Sequence, residues 1–252
     1  MTAHTIAVGD VHGQIEHLLV LMERLPVLNA EDTILFIGDY LDRGPSSAKV
    51  LHFLREELPQ RTQAKIVTLR GNHEDAWLKI IGGERSNFVL SANNGCLATF
   101  RSFLPGPPAM PGAFPTSLEE MEAMISGSFF PAEVVAWMET LPFFYEDDHA
   151  LYVHGGLPSN DGTWMHPSQY PDPRQLVWCR DNAFFSDYKG KRVVFGHTPA
   201  THLPQHLSIH TPNDPSDVYI SGDVIGIDTG CGRDGFLSAI ELPSLAIYES
   251  RG

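Results

Sequence analysis

Three times in the first 73 residues an apolar run stops at a glycine flanked by a polar side chain. The runs are Thr5-Ile6-Ala7-Val8 before Gly9-Asp10, Thr33-Ile34-Leu35-Phe36-Ile37 before Gly38-Asp39, and Lys65-Ile66-Val67-Thr68-Leu69 before Arg70-Gly71-Asn72. Between them, apolar residues recur at helical spacing: Ile15, Leu18, Leu19, Met22 and Leu25 ahead of Pro26, then Val50, Leu51 and Leu54 ahead of Pro59. Short apolar runs bounded by glycine read as buried strands, and the intervening periodicity reads as helices. That alternation predicts a mostly parallel sheet covered by helices, with ligands held outside the carboxyl ends of its strands. Asp10, His12, Asp39, Asn72 and His73 all fall there.

Farther on, the pattern loosens. A strand at 150–153 delivers His154, and one at 191–195 delivers Gly196-His197. Runs at 224–227 and 237–242 are expected to close the chain as a strand pair around the turn Thr229-Gly230-Cys231-Gly232, after a proline-rich loop over 199–221. Residues 82–148 break the rhythm with Pro-Gly clusters and two predicted helices near 117–125 and 131–141. This stretch reads as an insert, either a lid or specificity element over the site or a helical cap that completes the core. The 252 residues are within reach of one large domain, so the chain is read as a single domain over 1–252 carrying that insert.

A formal net charge of −14 gives bulk electrostatics nothing to offer a polyanion, so nucleic acid and anionic membranes are disfavoured as partners. An anionic substrate would need local positive charge, which bound metal ions supply. No run is long and apolar enough to span a bilayer, and no signal peptide is predicted. Cys96, Cys179 and Cys231 lie far apart without C-x-x-C spacing, which predicts buried thiols in a reducing, cytoplasmic setting. His202, His206 and His210 recur every fourth residue, but Pro204 argues against a metal-binding helix face.

Six side chains at the strand ends can bind a metal: Asp10, His12, Asp39, Asn72, His154 and His197. Oxygen and imidazole donors without thiolate suit a hard-to-borderline divalent ion, manganese first, with iron, zinc or nickel as alternatives. Two adjacent cations need one carboxylate with an oxygen for each, and Asp39 is the candidate; such pairs sit about 3.5–4 Å apart. A hydroxide bridging the metals would be the nucleophile, since metal binding lowers the pKa of water to about 7. Phosphoryl transfer then needs positioning and charge neutralisation, for which the planar fork of Arg43 fits a phosphate. His73, next to a ligand, is placed to protonate the leaving alkoxide, with Asp42 to orient it and keep it protonated. Taken singly, each residue also fits a turn, a cap or a solvated charge; their joint occurrence at the ends of apolar runs carries the functional reading.

Gly9-Asp10-Val11-His12-Gly13, Gly38-Asp39-Tyr40-Leu41-Asp42-Arg43-Gly44, Gly71-Asn72-His73-Glu74, His154-Gly155-Gly156 and Gly196-His197 together resemble the calcineurin-like metallophosphoesterases. Within these they resemble the phosphoprotein phosphatase branch and its bacterial and phage serine/threonine phosphatases. The resemblance implies an α/β fold, a four-layer αββα sandwich with mixed sheets. It implies one metal on Asp10, His12 and Asp39, and a second on Asp39, Asn72, His154 and His197. His73 takes the acid role with Asp42 behind it, and Arg43 and Arg180 hold the phosphate. The implied activity is metal-dependent hydrolysis of phosphomonoesters on serine or threonine of proteins, with tyrosine included in a dual-specificity form. The alternative on the same fold is hydrolysis of dinucleoside polyphosphates such as diadenosine tetraphosphate. A non-catalytic binding protein on this fold would have lost ligands or the acid, and all are present. The implied partners are a phosphoprotein or a small phosphoester; oligomeric state has no sign in the sequence.

Overall fold

The computed structural model describes residues 3–209 and 214–251, so His210 of the histidine series lies outside the described residues. The first three apolar runs form β1 (Thr5–Val8), β2 (Thr33–Phe36) and β3 (Lys65–Thr68), in parallel register. Helix α1 (Ile15–Arg24) follows β1 and buries Ile15, Leu18 and Leu21 at the predicted spacing. Next come α2 (Ser47–His52), a π-helical turn at Phe53–Glu57 and α3 (Leu58–Arg61), then α4 (Asn72–Ile81) after β3. The region over 82–148 holds α5 (Cys96–Ser102), α6 (Leu118–Ser126) and α7 (Ala132–Thr140).

The second half supplies β4 (Phe144–Glu146), β5 (Leu151–Val153) and a small pair, β6 (Ser159–Asn160) with β7 (Thr163–Trp164). Short helices α8 (Gln175–Trp178) and α9 (Asn182–Asp187) precede β8 (Val193–Phe195). Strands β9 (Tyr219–Ser221), β10 (Val224–Gly226), β11 (Ser238–Leu242) and β12 (Ile247–Glu249) follow. The two large sheets run in the orders β12-β11-β1-β2-β3 and β4-β5-β8-β10-β9.

The expected closing strand pair does not form. β10 sits between β8 and β9, while β11 pairs antiparallel with β1 in the other sheet. Both edges of β10 are taken, so the segment after it crosses from one sheet to the other. The run at 219–221, expected to be loop, is the edge strand β9.

Three apolar layers hold the molecule together. Ala7, Leu35 and Val67 from the first sheet meet Tyr152, Val194 and Ile225 from the second between the sheets. Ile6, Phe36 and Leu18 lie with Trp77 on the first sheet's outer side, and Val153, Phe195 and Phe184 on the second's. Helix, sheet, sheet, helix is the four-layer sandwich that the resemblance implies. Each fully buried side chain of this size contributes about 1.5–3 kcal/mol relative to exposure.

The insert belongs to the first outer layer: Leu97, Phe100, Met124, Phe130 and Met138 are part of the same apolar cluster as Phe36 and Trp77. It therefore completes the core, and as shown below it also touches the site. Arg70 donates to the carbonyl oxygens of Met138 and Glu139 and stacks on Phe143, a structural role at the end of α7. The three cysteines are buried and unbridged, and among the described residues no helix is long and apolar enough to cross a membrane.

Candidate active site

All six candidate metal donors converge where the carboxyl ends of β1, β2, β5 and β8 meet the start of α4. The loops there approach so closely that side chains have no room at two glycines. A Cβ on Gly38 would lie 2.6 Å from the Gly71 nitrogen, and one on Gly71 would lie 2.2 Å from the Asp39 nitrogen. Five non-glycine residues of the site adopt left-handed backbone: His12, Asp39, Asp42, Arg43 and His197, with φ of 45°, 56°, 68°, 66° and 64°. Such residues cost on the order of 1–3 kcal/mol each and persist only where the surroundings over-determine them.

Glu74 is one such constraint. Its Oε2 accepts from the Asp39 and Gly71 N–H groups at 2.9 and 3.0 Å, and its Oε1 from Tyr40 and Leu41 at 2.9 and 3.3 Å. One buried carboxylate thus shapes the turn that presents Asp39.

Asp39 divides its oxygens. Oδ1 lies 3.3 Å from His154 Nε2 and accepts from the His73 N–H at 3.0 Å, while Oδ2 lies 3.4 Å from His12 Nε2. Asn72 Oδ1 is 3.0 Å from His154 Nε2 and 2.7 Å from His197 Nδ1. Asp10 accepts from the His197 N–H at 3.0 Å, and its Oδ2 is 3.9 Å from His12 Nε2. The other ring nitrogens of His12 and His154 face the carbonyl oxygens of Leu41 and Ile37 at 2.9 and 3.1 Å, so Nε2 of each points inward. His12 Nε2 is buried without a hydrogen-bond partner. A buried nitrogen lone pair beside several carboxylate and amide oxygens fits a divalent cation, and so do two groups of donors, one at His12 and Asp39, the other at Asp39, His154 and His197.

The electrostatics follow from burial and crowding. Burial, then Asp228, push the Asp10 carboxyl well above the usual range. Burial would raise Asp39 too, but His154, His73 and His12 together hold it well below that range. Burial disfavours charge on His154, yet Asp39 raises it to about 9. Burial and Arg43 lower His12, and burial and His154 lower His197.

The expected acid pair is present as geometry. His73 Nδ1 lies 2.6 Å from Asp42 Oδ2, and its Nε2 turns toward Asp39 Oδ2 at 3.8 Å. Asp42 also accepts from Trp77 Nε1 at 3.0 Å and from Thr99 Oγ1 at 2.6 Å, with the Cys96 thiol at 3.3 Å. The ring of Phe88 stands edge-on to His73, 4.9 Å between centroids. Donor atoms of His73, His12 and Asp39 also lie within reach of one ion, so geometry alone leaves His73 open to ligation.

Arg43 is partly buried at the mouth, with its Nε unpartnered. Arg180 does not point freely into the mouth. Its Nε donates to His197 Nε2 at 3.0 Å.

Several residues here escaped the sequence reading. Trp77 stands four places after His73 and shares its helix face, a spacing that could have shown it. Asp228 ends the apolar run 224–227 as Asp10 ends its own, and its buried Oδ2 has no partner. Thr99 and Cys96 sit in the insert, where no local pattern marks them.

A family model described as "Calcineurin-like phosphoesterase" matches residues 3–225. The serine/threonine-protein phosphatase 1 of Salmonella typhimurium is 23% identical over 210 residues, covering 82% of this chain and 84% of that protein. The symmetrical bis(5'-nucleosyl)-tetraphosphatase of Stutzerimonas stutzeri is 36% identical over 70 residues, 28% of this chain and 24% of that protein. This chain therefore spans about a quarter of the tetraphosphatase it matches. A solved cold-active protein-tyrosine phosphatase from a psychrophilic Shewanella species shares the fold at a TM-score of 0.56 and 18% identity, over 100% of this chain and 81% of that one. With the sandwich, the donor cluster and this match over most of its length, the chain belongs to the calcineurin-like phosphoesterase family.

Proposed function

We propose that this protein is a metal-dependent phosphatase that hydrolyses phosphomonoesters of serine and threonine, and of tyrosine in a dual-specificity form, on proteins. The observation that carries the reading is the His73–Asp42 pair at 2.6 Å beside the donor cluster, with Arg43 and Arg180 at its rim. The match to a serine/threonine-protein phosphatase over more than four-fifths of both chains supports the substrate class. Asp10, His12 and Asp39 would hold one divalent ion, and Asp39, Asn72, His154 and His197 the other; manganese is the expected metal. When bound, such ions acidify water and neutralise phosphate charge.

The chain's own groups do the rest. Asp42 accepts the Nδ1 proton of His73 and turns Nε2 toward the reacting centre; as the imidazolium, His73 gives its Nε2 proton to the leaving alkoxide and is left as the neutral ring with Nδ1–H on Asp42. Arg43 offers its fork to the phosphate oxygens. Were His197 to hold a cation through Nδ1, its ring proton would sit on Nε2, which could no longer accept from Arg180, and that would free the guanidinium for the phosphate. The shielded, unbridged cysteines accord with the cytoplasmic setting we assign to it.

A second reading, hydrolysis of a dinucleoside polyphosphate, is favoured by one observation: a third arginine, Arg233, beside Arg43 at the mouth. A substrate panel separates the two. Phosphopeptides are expected to exceed diadenosine tetraphosphate in kcat/KM; the reverse order overturns the first reading in favour of the second.

A further inference from the structure

Asp228 is a buried carboxylate beside the donor cluster to which the proposed chemistry gives no work. It stands two residues past β10, 1% exposed, and its backbone carbonyl accepts from the Ala200 N–H at 2.8 Å. Its Oδ1 accepts from the Gly230 N–H at 2.9 Å, which ties the carboxylate to its own loop. Its Oδ2 is equally enclosed and, among the described residues, has no hydrogen-bond partner. A buried carboxylate oxygen without a donor is costly, and it points to a group that supplies one.

The chain on either side of Asp228 is pressed onto the loop that carries Asp10 and His12. A Cβ on Gly9 would lie 2.3 Å from the Ile227 carbonyl oxygen, and one on Gly232 would lie 2.5 Å from the His12 Cβ. The Cys231 thiol reaches the Val11 carbonyl oxygen at 3.5 Å. Asp228 therefore belongs to the side of the site held by Asp10 and His12. The charges agree. Burial first, then Asp228, hold Asp10 above the ordinary carboxylate range, with Asp39 adding less. Burial holds Asp228 above that range as well, against the pull of Arg43. Two enclosed carboxylates side by side repel, and His12 Nε2 beside them is also without a partner. A cation on this side relieves both conditions.

The two ion positions are unequally supplied. The second would draw on Asp39, Asn72, His154 and His197, the first on Asp10, His12 and Asp39 only. An octahedral ion such as manganese completes its shell with water where protein donors are few, and water on a cation is a strong hydrogen-bond donor. Asp228 Oδ2 is the acceptor on that side that has no donor. We propose that Asp228 is a positioning residue for the first ion, bound to it through an intervening water, and that it strengthens the hold of a site with three protein donors. The inference rests on the two-ion reading given above.

The test is isothermal titration of metal-stripped protein with manganese, on wild type, Asp228→Asn, His197→Ala and the double variant. Wild type is expected to take up two ions. Asp228→Asn should still take up two, one of them about 10–100-fold more weakly, the usual effect of removing such an outer partner. His197→Ala deletes a donor of the second ion only, so adding Asp228→Asn to it should weaken the remaining ion by the same factor. Melting temperatures in chelator separate this role from a structural one. Asparagine can keep the Oδ1 bond to Gly230 and removes the repulsion with Asp10, so the metal-free variant should melt at or above the wild-type temperature. Unchanged manganese affinity in Asp228→Asn, no further weakening in the double variant, or a lowered metal-free Tm each overturns the assignment. Fewer than two ions in wild type contradicts the two-ion reading itself.

Discussion

Thr99 donates its hydroxyl proton to Asp42 Oδ1 across 2.6 Å and accepts from the Asp42 N–H at 2.8 Å. The helical insert is thereby bonded twice to Asp42, whose Oδ2 lies 2.6 Å from His73 Nδ1. A region that packs as core thus also holds the pair to which we assign the acid role.

Thr99→Val keeps the shape and deletes the donor. It is expected to cost about 1–3 kcal/mol in stability, because buried polar groups on Asp42 lose a partner. It should also lower kcat on p-nitrophenyl phosphate about tenfold, the weight of one such hydrogen bond at the reacting group. Thr99→Ser should restore both. Urea unfolding and steady-state kinetics measure the two effects, and an unchanged kcat would leave the insert a purely structural cap.

Glu74→Gln sets an amide NH₂ against two of the four backbone N–H groups that the carboxylate now accepts. The expected loss is about 1–3 kcal/mol for each unsatisfied donor. Because the clamp shapes the turn at Asp39, metal content should fall along with the melting temperature. Metal analysis of the purified variant checks this, and full metal content with a lowered melting temperature would confine Glu74 to stability.

Chelated protein should lose stability as pH rises from 6.5 toward 9. His154 is raised from its ordinary 6.5 to about 9 by Asp39, against the effect of burial. The folded state therefore holds this proton more tightly than the unfolded one. The stabilisation is complete below 6.5 and disappears as pH passes through the folded value. A bound metal takes the place of that proton, so metal-loaded protein should show a shallower decline. Melting temperatures across this range, with and without chelator, give the comparison, and parallel slopes would contradict it.

Phosphatase activity on p-nitrophenyl phosphate should require added manganese or a similar ion and disappear in excess chelator. Full activity in chelator contradicts the metal-dependent mechanism.

Much of the site was legible because its residues stand at the ends of apolar runs, where β-strand period and glycine turns are local properties. Asp10, Asp39 and Asn72 follow directly from that pattern, and His154 and His197 from its looser repeats. The pairing of β11 with β1 across more than 230 residues is a non-local choice, which no window around 237–242 contains. Thr99 escaped for the same reason: a threonine in the buried run Cys96–Phe100 looks like any other until Asp42 is placed beside it. Arg180 shows another limit. The family resemblance alone implied a phosphate ligand there, and the fold shows its Nε on His197.

The central claim is that His73 acts as an acid beside the metals rather than as one of their ligands, although its Nε2 lies 3.8 Å from Asp39 Oδ2. Steady-state kinetics and metal analysis of His73→Asn test this directly. The account predicts a fall in kcat on p-nitrophenyl phosphate of about 10²–10⁴-fold with metal content still near that of wild type. Loss of metal from the variant would contradict it and make His73 a ligand.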